Sequence, residues 1–341
     1  MESLRIAMIG AGAIGGITAA HMKQAGYDVH LVCKHDEIAR LTRERGLHIT
    51  GVHGEKQVQI PAVATIEELQ GTFDLCLIAT KAYDMPEAAA QMQGKLRADA
   101  WVVSMQNGIC TDALAKVVGK ERTVGCVIGW GATMHAPGEL EMTSEGEFII
   151  GRIDGGDAQA LRPLQQAMQS VVMTEISDTI LSELYSKLIV NSCITSLGAI
   201  CGLRLGEMMK IKQARKIFLA IIGEAVQVAR AMHLQVPPFG GKLDYEKLMA
   251  GSGFFSDLRR HIMIRIVGMK FKDLKSSSLQ SLERNRPTEI DYFNGYICQK
   301  GREHGVETPI NARLTEMVKQ IERGERKIEE KNLFDSAFMQ L

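Results

Sequence analysis

The stretch RIAMIGAGAIGGITAAHMKQAGYDVHLVC, residues 5–33, decides the fold of this chain. A short apolar run stops at Gly10, and the residues after it have the apolar spacing of a helix that ends at Gly26. Residues 27–33 then alternate apolar and polar side chains, as a half-buried strand does. Strand, glycine loop, helix and strand in this order form a βαβ unit, so we expect the loop to bind a dinucleotide.

The loop itself reads GAGAIG, residues 10–15, and fits the pattern GxGxxG. Gly10 permits the tight turn, Gly12 lets backbone amides approach a pyrophosphate, and Gly15 lets the helix pack closely on the strand. The unpaired N–H groups and the dipole of the helix N-terminus favour an anion there. The alternative is a tight strand-to-helix turn without a ligand. The predicted cofactor-binding residues of the loop are Gly10, Ala11, Gly12, Ala13, Ile14 and Gly15.

Beyond this unit, apolar strands alternate with helices as far as residue 176, which predicts parallel βαβ units. The pattern then becomes helical, with Ser177 or Asp178 suited to cap the first helix and Pro287 suited to the first turn of a later one. We therefore predict an α/β fold class, with a Rossmann NADP-binding domain at residues 1–178 and an all-α substrate domain at residues 179–341.

Composition argues against several classes of function. Basic and acidic side chains number 40 each among 341 residues, so the zero net charge predicts no binding to nucleic acid or to an anionic membrane. We find no signal-peptide pattern and no run of about 18 apolar residues that would predict a membrane span. The nine histidines lack paired-ligand spacing, so no metal is predicted. Seven scattered cysteines without CxxC favour reduced thiols and a cytoplasmic location.

The end of the second strand bears on the choice of cofactor. Sites that prefer NAD usually place an acidic residue there, but this chain has VCKHDE, with Lys34 first. A cation at that point would pair with a 2′-phosphate, so we predict NADP(H). The alternative is a surface lysine at a strand end.

Two further loops follow strands of the same predicted sheet. Lys81 comes after the strand at 75–80, and Asn107 after the strand at 101–105. Ligands of open α/β sheets bind beyond the carboxyl ends of strands, so both residues are candidates for the nicotinamide half of the cofactor. An Asn-Gly pair or a loop lysine is otherwise simply part of a turn.

A polar strip crosses the apolar helix LYSKLIVNSCITSLGAI, residues 184–200. Lys187, Asn191 and Thr195 follow one another at intervals of four and so share a face. Glu289 comes much later, near a predicted helix start where a carboxylate is favoured, and it could meet Lys187 in a cleft. The alternatives are a lysine whose head reaches water and a carboxylate that only complements a helix dipole.

Taken together, GAGAIG, ATKAYD, QNG, YSKLIVN and SSSLQS…RPTEIDYFNG resemble the 2-dehydropantoate 2-reductases, or ketopantoate reductases, in their order and over nearly the whole chain. The resemblance implies a Rossmann domain, a helical domain and an active site between them. It also implies NADPH-dependent reduction of 2-dehydropantoate to (R)-pantoate, on the way to pantothenate and coenzyme A.

The resemblance assigns roles residue by residue. Lys187 matches the catalytic lysine and Glu289 the glutamate that assists it. Lys81 and Lys34 match cofactor-side cations. Three residues match substrate contacts: Asn107, Asn191 and Ser277. Asn107 also matches the asparagine near the nicotinamide. Ser277 matches, by its spacing from Glu289, the serine that holds the substrate carboxylate; the alternative is a hydroxyl in a polar loop.

The chain departs from the family at points that concern the substrate. Thr195 stands where some members have a second asparagine, and residues 237–275 and the C-terminal tail look longer than in compact members. Two alternatives therefore stay open: a reductase of another keto acid, and a non-catalytic NADP-binding sensor. A homodimer also stays open.

Overall fold

The computed structural model describes residues 4–341 and divides into two compact units, one that ends at Leu184 and one that begins at Tyr185. The strands, all in the first unit, are β1 (Arg5–Ile9), β2 (Asp28–Val32), β3 (Leu47–Gly51), β4 (Lys56–Val58), β5 (Ala62–Val63), β6 (Phe73–Ile78), β7 (Leu96–Ser104), β8 (Thr123–Ile128), β9 (Gly131–Ala136), β10 (Glu139–Ser144), β11 (Phe148–Arg152) and β12 (Thr174–Ile176). Its helices are α1 (Ala13–Gln24), α2 (Asp36–Arg45), α3 (Met85–Met92), α4 (Thr111–Val118) and α5 (Arg162–Gln169).

Eight of these strands form one sheet in the order β12-β11-β8-β7-β6-β1-β2-β5. Every neighbouring pair is parallel except β11 with β8. The central strands β1 and β6 are almost continuously apolar because helices cover both faces of a parallel sheet. The predicted Rossmann architecture is confirmed.

A second sheet of four strands, in the order β4-β3-β10-β9, was not predicted. Its strands β10 and β3 pair in parallel although they lie far apart in the chain. The sheet packs against α1, where Gly16 leaves room for Leu140: a Cβ built on Gly16 would lie 2.4 Å from the Leu140 Cδ1 atom. The short, polar strands β3 and β4 carry little periodic signal, which explains why the sequence did not reveal them.

The second unit is helical, as predicted. Helix α6 (Ile180–Cys201) begins before the division and continues into this unit, and the others are α7 (Leu205–Met208), α8 (Lys212–Ala231), α9 (Tyr245–Met249), α10 (Phe254–Lys270), α11 (Ser277–Glu283), α12 (Asn294–Glu303) and α13 (Pro309–Glu322). The core lies between α6 and α8, where Leu197 and Ile221 are fully buried. The Tyr185 hydroxyl donates to the Ala225 carbonyl at 2.9 Å and joins the two helices.

One predicted helix starts later than expected. The α-helix begins at Asn294, after a short 3₁₀ turn at Ile290–Tyr292, so the placement of Pro287 in its first turn is wrong. Thr288 holds the preceding segment against α13, because its backbone N–H and its hydroxyl both donate to Glu322 at 2.7 and 2.6 Å. Glu289 therefore lies ahead of the 3₁₀ turn instead of inside a helix.

Helix α6 has the length and the mean hydropathy, 1.3 over 18 residues, that a membrane span requires. In this fold 83% of that window is buried. A single helix of this kind is weak evidence for a membrane, because the central helix of a packed helical domain has the same properties.

Candidate functional site

The glycine loop joins β1 to α1 in the geometry that a pyrophosphate needs. Gly10 has a φ of 112°, and its N–H donates to the Val32 carbonyl at 2.9 Å. A Cβ on Gly10 would lie 2.9 Å from the Ala79 backbone, and one on Gly15 only 2.1 Å from the Gly10 carbonyl oxygen. A Cβ on Gly12 would meet nothing within 4 Å, so this position faces open space. The loop is therefore closed against the protein at two glycines and open at the third.

The first turn of α1 is free to bind an anion. Its N-cap is Gly12, which supplies no side-chain cap, and the turn has no acidic residue. The N–H groups of this turn and the helix dipole point at the opening above Gly12. These residues fit the pyrophosphate of a dinucleotide, and Ala11, Ala13 and Ile14 are half-buried around the same opening.

Lys34 lies where β2 ends, on the rim of a cavity of about 230 Å³ next to Gly10. It has a φ of 70°, which is uncommon for a residue with a side chain. Its Nζ atom donates to the Asp84 carboxylate at 2.9 Å, and 65% of the lysine side chain is exposed. The cavity also contacts Glu67 and Glu87. A cation therefore stands at the predicted place, but acidic groups share the cavity with it.

Asp84 is a residue that the sequence interpretation missed. It directly precedes α3, and its N–H donates to the Lys81 carbonyl at 3.0 Å in a turn. In the sequence, an aspartate just before a helix looks like an ordinary helix cap. Only the fold shows that Asp84 faces the end of β2. The pair joins two loops at the carboxyl edge of the sheet.

Lys81 and Asn107 both lie at this edge, after the neighbouring strands β6 and β7, and both side chains are exposed. The backbone before Asn107 is well held, because the buried Gln106 side chain donates to the Ile78 carbonyl at 2.8 Å. Gly108, with a φ of 85°, completes the turn. The fold brings the two loops to one edge.

In the part of α6 after Tyr185, two polar side chains are half-buried, Lys187 and Asn191. Residues 188–190 between them are buried. The turn that carries Lys187 is held by two hydrogen bonds next to it: the Ser186 hydroxyl donates to the Pro237 carbonyl at 2.8 Å, and the buried Tyr245 hydroxyl donates to the Ser186 carbonyl at 2.6 Å. The lysine therefore projects from a rigid backbone.

Thr195 differs from the rest of the predicted strip. It is only 5% exposed, and its hydroxyl has no hydrogen-bond partner among the described residues. A buried hydroxyl without a partner costs about 1–3 kcal/mol, so the site tolerates a local penalty.

The serines at the start of α11 differ in environment. Ser277 is exposed, whereas Ser276 caps the helix by accepting from the Leu279 N–H at 3.0 Å. Ser278 is buried, and its hydroxyl lacks a partner among the residues that the structure describes. Spacing alone did not distinguish these three neighbours.

Glu289 is 8% exposed and lies in the same unit as Lys187. Its segment is fixed on both sides, by the Thr288–Glu322 hydrogen bonds and by an ion pair of 2.5 Å between Asp291 and Lys319. A nearly buried carboxylate requires polar partners, and this one is held on a braced segment.

Comparison with known proteins places the chain in context. Residues 6–155 match the family described as "Ketopantoate reductase PanE/ApbA", and residues 179–322 match "Ketopantoate reductase PanE/ApbA C terminal". The chain belongs to the ketopantoate reductase family. The predicted family, and with it the predicted class of oxidoreductase, are confirmed.

Relatives match along nearly the whole chain. The 2-dehydropantoate 2-reductases of Archaeoglobus fulgidus and Pyrococcus abyssi are both 28% identical, over 95% and 93% of this chain and 100% and 97% of their own. A ketopantoate reductase structure from Ralstonia eutropha JMP134 is 26% identical, with a TM-score of 0.79 over 94% of this chain and 99% of its own. A D-mandelate dehydrogenase solved with NADH and anilino(oxo)acetate is also 26% identical, with a TM-score of 0.80 over 95% of this chain and 100% of its own.

Proposed function

We propose that this protein catalyses the NADPH-dependent reduction of 2-dehydropantoate to (R)-pantoate. The observation that carries the proposal is Lys187, which projects from a rigid turn of an apolar helix in a chain whose relatives over their full length are 2-dehydropantoate 2-reductases. A reaction of this kind would belong to the synthesis of pantothenate. The seven cysteines are all free and buried, in keeping with the cytoplasmic location that we propose.

The reduced nicotinamide supplies the hydride when it is bound. Negative charge then develops on the oxygen of the substrate C2 carbonyl. The ammonium of Lys187 donates a hydrogen bond to this oxygen, stabilises the charge, and gives up a proton to it as the C2–H bond forms. One hydride and one proton convert the carbonyl to a hydroxyl, and Lys187 regains its proton from water.

Glu289 orients the lysine in this proposal. Its carboxylate lies on a segment braced against α13 and would attract the Lys187 ammonium. Asn191, one helical turn after Lys187, holds the distal part of the substrate, and Asn107 with Lys81 aligns the nicotinamide. We assign the substrate carboxylate to Ser277, which is exposed in the first turn of α11. Thr195, whose hydroxyl lacks a protein partner, adds a contact to the substrate.

Lys34 selects NADPH over NADH in this proposal. Its exposed head lies at the rim of the cavity beside Gly10 and can turn from Asp84 to a 2′-phosphate. Phosphate recognition of this kind uses charge-assisted hydrogen bonds, which are about twice as strong as neutral ones.

A second candidate is the reduction of a 2-oxo acid with a larger, aromatic substituent. The similarity to D-mandelate dehydrogenase favours it, since that relative matches as well as the ketopantoate reductase structure does. Thr195 in place of a longer amide would leave more room beside Asn191.

The test is NADPH and NADH consumption with 2-dehydropantoate, phenylglyoxylate and a panel of aliphatic 2-oxo acids. We expect turnover with 2-dehydropantoate, and a loss of roughly 10²–10⁴-fold in kcat for Lys187→Ala. Lys242→Ala, an exposed lysine in a turn of the same unit, is the control and should retain full activity. Unchanged turnover in Lys187→Ala would contradict the proton donor, faster turnover of phenylglyoxylate would favour the second candidate, and binding without any turnover would favour a sensor.

A further inference from the structure

Helix α10 lies in the segment that looked longer than in compact family members, and it exposes an apolar stripe. The stripe consists of side chains that are 46–84% exposed: Phe255, Leu258, Ile262, Ile266 and Met269. Scattered apolar residues on a surface need no explanation, but a contiguous stripe on one helix face marks an interaction site.

The opposite face of α10 already packs on its own unit. Ile264 is fully buried, and Gly268 lies so close to the end of α7 that a Cβ there would be 2.4 Å from the Cβ atom of Met209, the residue after this helix. Arg260 donates to the Met249 carbonyl at 2.7 Å and pairs with Asp257 at 2.7 Å. The helix is therefore fixed, and its stripe faces away from the core that holds it.

The spacing of the side chains in the stripe is symmetric about Ile262. From Ile262, the next members lie four residues away on each side, Leu258 and Ile266, and the last lie seven away, Phe255 and Met269. All five project within a narrow sector, because offsets of four and seven return almost to the same face at 3.6 residues per turn. Two antiparallel copies related by a two-fold axis at Ile262 would place every member against an apolar partner, as an isologous interface requires.

The size of the surface suits such a pair. Aromatic side chains bury roughly 150–250 Å² each, so the stripe with its neighbour Phe254, itself 75% exposed, offers on the order of 700 Å² per protomer. A standard protein interface takes about 800 Å² from each partner. Facing Phe255 with Met269 also creates a sulfur–aromatic contact.

This register brings Arg265 of one copy beside Arg259 of the other, because the two lie three residues on opposite sides of Ile262. Arg259 turns its guanidinium back to the carbonyls of Lys247 and Ala250, both at 2.9 Å, so it leaves the stripe clear. Arg265 and Lys270 are exposed at the sides and would also suit an anionic lipid surface. A bilayer, however, has no register to match, whereas a second antiparallel copy matches this symmetric spacing member for member.

We propose that the α10 stripe pairs with the same stripe of a second copy, antiparallel and centred on Ile262, to form a homodimer. The homodimer is independent of the reaction that the protein catalyses.

The oligomeric state tests the pairing. The purified chain should have twice its 37.5 kDa mass by light scattering, and Ile262→Asp, which puts two like charges at the axis, should halve it while the circular dichroism stays unchanged. Met173→Asp, at an apolar residue 60% exposed on the other unit, is the matched control and should remain dimeric. A monomeric wild-type protein, or a dimer that Ile262→Asp leaves intact, would overturn the proposal; a monomer that binds anionic phosphatidylserine vesicles through α10 would replace it with a lipid site.

Engineered disulfides test the direction. The native cysteines are all buried, so Ile262→Cys should give a covalent dimer under mild oxidation. Phe255→Cys alone should not, whereas Phe255→Cys combined with Met269→Cys should. Cross-linking of Phe255→Cys to itself would show a parallel pair and overturn the antiparallel arrangement.

Discussion

The substitution Asp84→Asn should tighten NADPH binding, because it frees Lys34 and removes a negative charge from the proposed 2′-phosphate site. In the Lys34–Asp84 pair 65% of the lysine side chain and 32% of the aspartate side chain are exposed, and pairs at the surface contribute about 0.2–1 kcal/mol. A phosphate bound to Lys34 would also lie about 6 Å from the Asp84 carboxylate, which in water costs roughly 0.7 kcal/mol for each unit of phosphate charge. Together these effects amount to about 1–2 kcal/mol, or about 5–30-fold in the Kd.

The assay compares the Kd of NADPH and NADH by fluorescence titration for wild type, Asp84→Asn and Lys34→Ala. Lys34→Ala should weaken NADPH by roughly 1.5–3 kcal/mol, the contribution of a hydrogen bond to a charged group, and leave NADH nearly unchanged. The gain in Asp84→Asn should shrink in 1 M salt, where the screening length is about 3 Å. Equal effects on both cofactors, or weaker NADPH binding in Asp84→Asn, would refute a 2′-phosphate contact at Lys34.

Four further measurements test the site and the fold. Gly15→Ala should lower the free energy of unfolding by roughly 1–3 kcal/mol or more, because its Cβ would meet a backbone oxygen at 2.1 Å. Gly12→Ala should instead leave stability unchanged and abolish cofactor binding in titration, since its Cβ would occupy the open space that we propose for the pyrophosphate; normal binding would contradict the assignment. Tyr245→Phe should lower kcat more than Tyr185→Phe at a similar loss of about 1 kcal/mol of stability in urea, because the Tyr245 hydroxyl bonds the Ser186 carbonyl next to Lys187, whereas the Tyr185 hydroxyl joins α6 to α8. Burial lowers the pKa of His21 to about 4, so the unfolded chain takes up a proton at a higher pH than the folded one. The free energy of unfolding should therefore fall by up to about 2 kcal/mol as the pH drops from 6.5 to 4. The same dependence of the unfolding free energy on pH in His21→Gln would show that another group causes it.

The glycine loop and the alternating strands were readable from the sequence because each is a local pattern. Gly10 and Gly15 lie where their spacing indicates, and the polar positions of α6 appear at helical intervals. The pairing of Lys34 with Asp84 was not readable, because it depends on two loops that the sheet brings together from 50 residues apart. The environments of Ser277 and Ser278 also required the fold, since adjacent positions on a short helix differ only in what packs against them.

The second sheet has a consequence for the time course of folding. Strand β3 leaves the ribosome well before its parallel neighbour β10, as His48 and Glu139 are 91 residues apart. At a synthesis rate of about 5–20 residues per second, β3 waits roughly 5–20 s for that neighbour. During that interval its edge pairs only with β4, and an unpaired edge is a template for other chains. The hairpin of β3 and β4 is therefore a segment of the nascent chain whose open edge a chaperone would protect during synthesis.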